Sequence, residues 1–190
     1  MLSLISTFLG LLLLFITNPL LTTAQLPAVL DTTGQPLEPG VQYYILPSTA
    51  SRGGATLVNR NGSCPLYVGL EARAGATGLP VLFNPFVSDE SVIRESSNFA
   101  LSFDASSICN QPTDWARDGG SGARVLITTR RENAPSDFFR IERDGNAYKL
   151  GYCPDSVGRP RCGDVGVSVE NGRRLLALYV PALTVVFRRA

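Results

Sequence analysis

Four cysteines, sixteen carboxylates and no histidine make up the reactive inventory of this 190-residue chain. Without histidine, neither a Ser-His-Asp nor a Cys-His nucleophilic site can be assembled, and no zinc can be held through imidazole. Cys64, Cys109, Cys153 and Cys162 include no CxxC pair, which argues against metal ligation or redox exchange. Hydrolysis by a carboxylate pair needs only Asp and Glu, yet no acidic pair sits in a recognisable setting. No glycine-rich phosphate loop follows a strand and opens a helix. No enzyme activity, cofactor or metal is expected.

The remaining use for the cysteines is structural, and it depends on the compartment. Residues from Met1 to about Ala24 carry no charged side chain, contain the apolar run Phe8–Ile16, break at Asn18-Pro19 and reach the small-x-small pattern Thr22-Thr23-Ala24. This reads as a secretory signal peptide, too short in its apolar core for a membrane span of ~20 residues. It lacks a basic n-region, so only the amino terminus supplies positive charge there. The expected mature domain is 25–190, extracellular or vacuolar, where four cysteines become two disulfides. Three pairings are possible. The local one, Cys153–Cys162, closes a hairpin-like loop at little entropic cost and leaves Cys64–Cys109. On the loop-entropy model the bridges contribute roughly 2.5 and 4 kcal/mol.

Seventeen basic residues nearly balance the sixteen acidic ones. No block of like charge points to nucleic acid or to an anionic membrane, and a monomer is expected. Arg130-Arg131 and Arg173-Arg174 read as solvated hairpin positions.

The elements that must position any site are strands. Eighteen glycines and thirteen prolines punctuate short runs of β-branched and aromatic residues. Eleven such runs stand out: 42–46, 55–58, 66–70, 81–83, 99–103, 124–129, 138–143, 147–152, 164–170, 174–178 and 183–187. Val165, Val167 and Val169 alternate as one face of a strand, and Asn171-Gly172 is a two-residue hairpin signal. Asp144-Gly145-Asn146 makes a similar turn. Ser88 to Ser97 is the best helical candidate and lacks a sustained 3.6-residue period. The class is all-β, a sandwich or a barrel. Three parts of roughly 50 to 60 residues can be drawn, beginning near Val29, Leu79 and Phe138, but their mutual similarity does not establish a repeat.

A resemblance sharpens this. Val29-Leu30-Asp31-Thr32-Thr33-Gly34-Gln35-Pro36-Leu37, followed by Tyr43-Tyr44-Ile45-Leu46-Pro47, resembles the signature of the plant Kunitz family of soybean trypsin inhibitor type. Cys64-Pro65-Leu66, Thr113-Asp114-Trp115, Phe138-Phe139-Arg140-Ile141-Glu142, Tyr148-Lys149-Leu150, Cys153-Pro154, Cys162-Gly163-Asp164-Val165-Gly166 and Arg173-Arg174-Leu175 follow in the family's order. The similarity covers residues 28–189. It implies a β-trefoil of about twelve strands in three pseudo-repeats, with pairings Cys64–Cys109 and Cys153–Cys162. It also implies a defence or storage protein, commonly one that inhibits a serine endopeptidase through an exposed loop. The family also holds α-amylase inhibitors, cysteine-protease inhibitors and a miraculin-like, taste-modifying branch, so a non-inhibitory storage or binding protein stays open.

In such inhibitors the residue whose peptide bond meets the protease, P1, follows the fourth strand. Here that loop is Asn84-Pro85-Phe86-Val87-Ser88-Asp89-Glu90-Ser91. Aligning forward from Pro80-Val81 puts Val87 at P1, and aligning back from Phe103 shifts it toward Asp89. Trypsin-directed members carry Arg or Lys at P1, and this chain has none before Arg94, which is expected in the next strand. A small apolar P1 suits an elastase- or subtilisin-like pocket, and Phe86 would suit a chymotrypsin-like one. Such members also prop the loop with an asparagine side chain, whose matching position here is Pro39, with no side-chain donor. The partner expected is therefore a serine endopeptidase other than trypsin, or another hydrolase. Asn61-Gly62-Ser63 is an N-glycosylation sequon.

Overall fold

A computed structural model describes residues 25–49, 52–119, 124–154 and 161–190. The expected leader, 1–24, lies outside the described residues.

The described residues form twelve strands and no helix. They are β1 (Tyr43–Pro47), β2 (Ala55–Val58), β3 (Tyr67–Leu70), β4 (Val81–Pro85), β5 (Phe99–Phe103) and β6 (Trp115–Arg117). Then come β7 (Val125–Thr129), β8 (Arg140–Asp144), β9 (Ala147–Tyr152), β10 (Gly163–Glu170), β11 (Arg173–Leu178) and β12 (Thr184–Arg189). All eleven expected runs match to within a residue or two at each end. The run at 138–143 starts two residues late, and β6 is additional.

Six strands close into a ring. β1 pairs with β12 and, at Tyr43↔Val81, with β4; β4 pairs with β5; β8 pairs with β9; and β9 pairs with β12. The last seam, β5 to β8, is an antiparallel bridge at Phe99↔Phe139, where each amide donates to the other's carbonyl at 3.0 and 2.8 Å. The other six strands make three hairpins, β2–β3, β6–β7 and β10–β11. Their inner strands join in a triangle: β3 to β7 at Tyr67↔Thr128, β7 to β11 at Leu126↔Ala177, and β11 to β3 at Leu175↔Gly69. A six-stranded barrel capped by three hairpins is a β-trefoil. Its repeats are β1–β4, β5–β8 and β9–β12, so the expected starts at Leu79 and Phe138 fall one strand early. Weak similarity between the three parts left that phase undefined.

Period-2 alternation explains the barrel. In β1 and β5 every second residue is buried, which sends Tyr43, Ile45, Phe99, Leu101 and Phe103 inward. Phe83 of β4 meets three rings edge-on, with centroids 6.0 Å from Tyr43, 5.4 Å from Phe99 and 5.5 Å from Phe187. Each such pair contributes about 0.5–1.5 kcal/mol beyond area burial. In the cap, Val68, Leu70, Ile127, Leu176 and Leu178 close the barrel end. Gly69 is required where β11 crosses β3, because a Cβ there would stand 2.4 Å from the Arg174 carbonyl oxygen.

The valine stripe of β10 behaves differently from its pattern. Val165 is buried, but Val169 is 64% exposed, because the hairpin extends past the core toward its Asn171-Gly172 turn. That turn is as expected: φ is +48° and +77°, and Glu170 faces Arg173 across it. Both disulfides take the expected pairing, Cys64–Cys109 and Cys153–Cys162.

Candidate functional site

The exposed loop begins later than its sequence suggests. Asn84 and Pro85 are not loop residues: they extend β4, facing Ala100 and Phe99 of β5. The connecting run is therefore Phe86 to Asn98, closed at its base where the Phe86 amide donates to the Asn98 carbonyl at 2.9 Å.

At the tip, Phe86 is 64% and Val87 51% exposed, and Ser88 and Asp89 are exposed beside them. The two apolar residues differ in their freedom. Phe86 packs edge-on against Phe138, centroids 5.0 Å apart, while Val87 keeps half of its surface open. Val87 starts a turn, its carbonyl accepting the Glu90 amide at a long 3.3 Å. Phe86 and Phe138 also wall a cavity of about 250 Å³ with Asn98, Asp137 and Tyr152.

Two walls hold the returning limb of the loop. On one side is the N-terminal strap: the Ile93 amide donates to the Leu37 carbonyl at 2.8 Å and the Glu95 amide to Pro27 at 2.8 Å. Arg94, expected in the next strand, instead bridges Ala28, and its Nη1 donates to the Leu26 carbonyl at 2.8 Å. It sits seven residues beyond Val87, tied to the strap. On the other side is the segment entering and forming β8. The Ser96 amide donates to the Ile141 carbonyl at 2.8 Å, Arg140 Nε to Asn98 Oδ1 at 2.7 Å, and Arg143 Nε pairs with Glu95 at 2.9 Å.

Sequence reading missed Asn98, Phe138, Arg140 and Arg143 as loop supports. Phe138–Glu142 stood out as a strand, but nothing in its pattern linked it to a loop some 50 residues earlier.

Pro39 lies in a Pro39-Gly40 turn, with Gly40 at φ +73° and the Val41 amide donating to the Glu38 carbonyl. Asn61 is exposed, its Oδ1 accepting the Ser63 hydroxyl at 2.8 Å. Among the described residues no group of three His, Cys, Asp or Glu side chains could hold a metal.

A trefoil that presents one propped apolar loop is matched along its whole length by a family model, Kunitz legume, described as trypsin and protease inhibitor, over residues 29–189. The chain belongs to this Kunitz family of protease inhibitors. Kunitz type trypsin inhibitor 104 of Medicago truncatula is 40% identical over 181 residues, 88% of this chain and 90% of that one. The structure of the rice (Oryza sativa) bifunctional α-amylase/subtilisin inhibitor is 34% identical, with a TM-score of 0.74 over 87% of this chain and all of that one. Soybean trypsin inhibitor in complex with porcine pancreatic trypsin is 30% identical, with a TM-score of 0.72 over 85% of this chain and 98% of that one. Kunitz inhibitors thus bind proteases and are not themselves enzymes.

Proposed function

We propose that this Kunitz protein is a secreted inhibitor of a serine endopeptidase with an apolar primary pocket, rather than of trypsin, and that the loop Phe86-Val87-Ser88-Asp89 engages the enzyme with Val87 at P1. One observation carries the reading: Val87 is half exposed at the loop tip, two residues past the end of β4.

The choice of Val87 follows from what its neighbours do. Phe86 would have to leave Phe138 to enter a pocket, and Arg94 is bound to the N-terminal strap. Asp89 carries a charge that an apolar pocket excludes. Valine fits a small apolar pocket, and the rice relative named as a subtilisin inhibitor agrees with that class. A loop already held at both limbs loses little entropy on binding, so its contacts become affinity. Its one local adjustment is the Val87 carbonyl exchanging the long Glu90 bond for the enzyme's oxyanion donors. Residues 1–24 act as the leader, delivering the protein outside the cell or to the vacuole.

The test is inhibition by the purified mature protein across trypsin, chymotrypsin, elastase, subtilisin, papain and α-amylase, beside Val87→Arg. Inhibition of subtilisin or elastase, with the variant gaining trypsin, is expected. A protein inert toward all six, with an equally inert variant, overturns the reading in favour of a storage or binding protein.

A further inference from the structure

We propose that Asn98 is the positioning residue of the protease-binding loop, clamped from outside by Arg140 and Phe138. The inference rests on the loop reading above and goes beyond it, naming what fixes the loop where position 39 offers no side-chain donor.

Asn98 acts at the loop base through two different atoms. Its carbonyl accepts the Phe86 amide at 2.9 Å, which fixes the residue immediately before Val87. Its side-chain Oδ1 accepts Arg140 Nε at 2.7 Å, a charge-assisted bond that sets the side chain, and with it the residue, against β8. Arg140 is itself held in register, facing Gly151 of β9. Two residues before Arg140, Phe138 packs its ring against Phe86, the other partner in the base hydrogen bond.

From Phe99 back to Glu95 the contacts run antiparallel to 139–143, and Phe86 on the outgoing limb takes Phe138. Phe86 meets Phe138, Phe99 bridges Phe139, Asn98 meets Arg140, Ser96 meets Ile141 and Glu95 meets Arg143. One segment, 138–143, therefore grips both limbs of the loop and leaves Val87 to Val92 as the stretch that faces solvent and enzyme. Asn98 is where that grip is passed to Phe86. Loss of the side-chain oxygen frees the base bond while the barrel, held by other pairings, stays closed.

The experiment compares wild type, Asn98→Leu and Asn98→Asp by amide hydrogen exchange on the free protein and by subtilisin inhibition with product analysis. Asn98→Leu keeps the branched shape but removes the acceptor, and Asn98→Asp keeps an oxygen for Arg140. In Asn98→Leu the Phe86 amide is expected to exchange roughly tenfold faster, with Ile45 and Phe187 unchanged and Asn98→Asp close to wild type. Faster cleavage between Val87 and Ser88 by subtilisin accompanies it. Unchanged exchange at Phe86, acceleration equal across Ile45 and Phe187, or no rescue by Asn98→Asp overturns the assignment. If wild type inhibits no protease, the functional reading fails while the exchange arm still decides the clamp.

Discussion

Trp115 and Thr129 stand directly opposite each other on β6 and β7, both fully buried, and each keeps a polar atom with no hydrogen-bond partner among the described residues. The atoms are the indole Nε1 and the hydroxyl Oγ1. An unpaired buried hydroxyl costs more than an apolar group of the same shape. Thr129→Val is therefore expected to raise the unfolding free energy by about 1 kcal/mol, read from urea midpoints at constant slope. A lower midpoint would show that the hydroxyl does find a partner.

Phe83 is the point where four barrel strands meet through aromatic rings. Phe83→Ala should cost about 3–5 kcal/mol, since the rings of Tyr43, Phe99 and Phe187 cannot all collapse into one gap. Equilibrium denaturation measures it. A loss below about 1 kcal/mol would mean that the barrel relaxes around the void.

Asp31 is expected to set part of the acid limb of stability. Burial pushes its carboxyl up, but hydrogen bonds from the Thr33 hydroxyl and from the Gln35 and Thr33 amides, with the charge of Arg189, outweigh burial and bring it below the ordinary 3.8. A depressed folded pKa stabilises the fold above the ordinary value, and the contribution is lost as pH falls through the folded value. The stability gap between wild type and Asp31→Asn should be full at neutral pH and shrink only below 3.8. A gap constant down to strongly acid pH refutes this.

Placing asparagine at position 39 tests whether the loop needs an internal prop. The Asn98 clamp and the strap at Pro27 and Leu37 already hold both limbs. In a Val87→Arg background, Pro39→Asn should change the trypsin inhibition constant by less than about threefold, because little loop entropy remains to be removed. A tenfold tightening would show that the outer clamp is insufficient.

Much of this architecture was legible in local pattern and some of it was not. Strands with clean alternation or a marked turn, such as β5 and the β10–β11 hairpin, were visible because period 2 and Asn-Gly act within a few residues. β6 was not, since three residues cannot show a period. The β5–β8 seam was not, because it is a single bridge between Phe99 and Phe139 with no run to announce it. Near the candidate site, Phe86 to Asp89 were expected in a loop and are exposed, and Val87 was weighed against Phe86 and Asp89. Asn84 and Pro85 were misplaced because Asn-Pro reads as a turn, yet both face partners on β5. Arg94 was misplaced because its partner is the N-terminal strap, distant in sequence. Supports that reach across the fold leave no trace in the segment they support.

Proteases take their substrates as extended strands, zipping backbone groups onto a free edge. In the ring β1–β4–β5–β8–β9–β12 each strand has a neighbour on both sides, so no strand is left as a whole free edge. To be digested there, the barrel would have to open first. Closure of the ring is thus expected to make resistance to digestion a property of topology rather than of any one side chain.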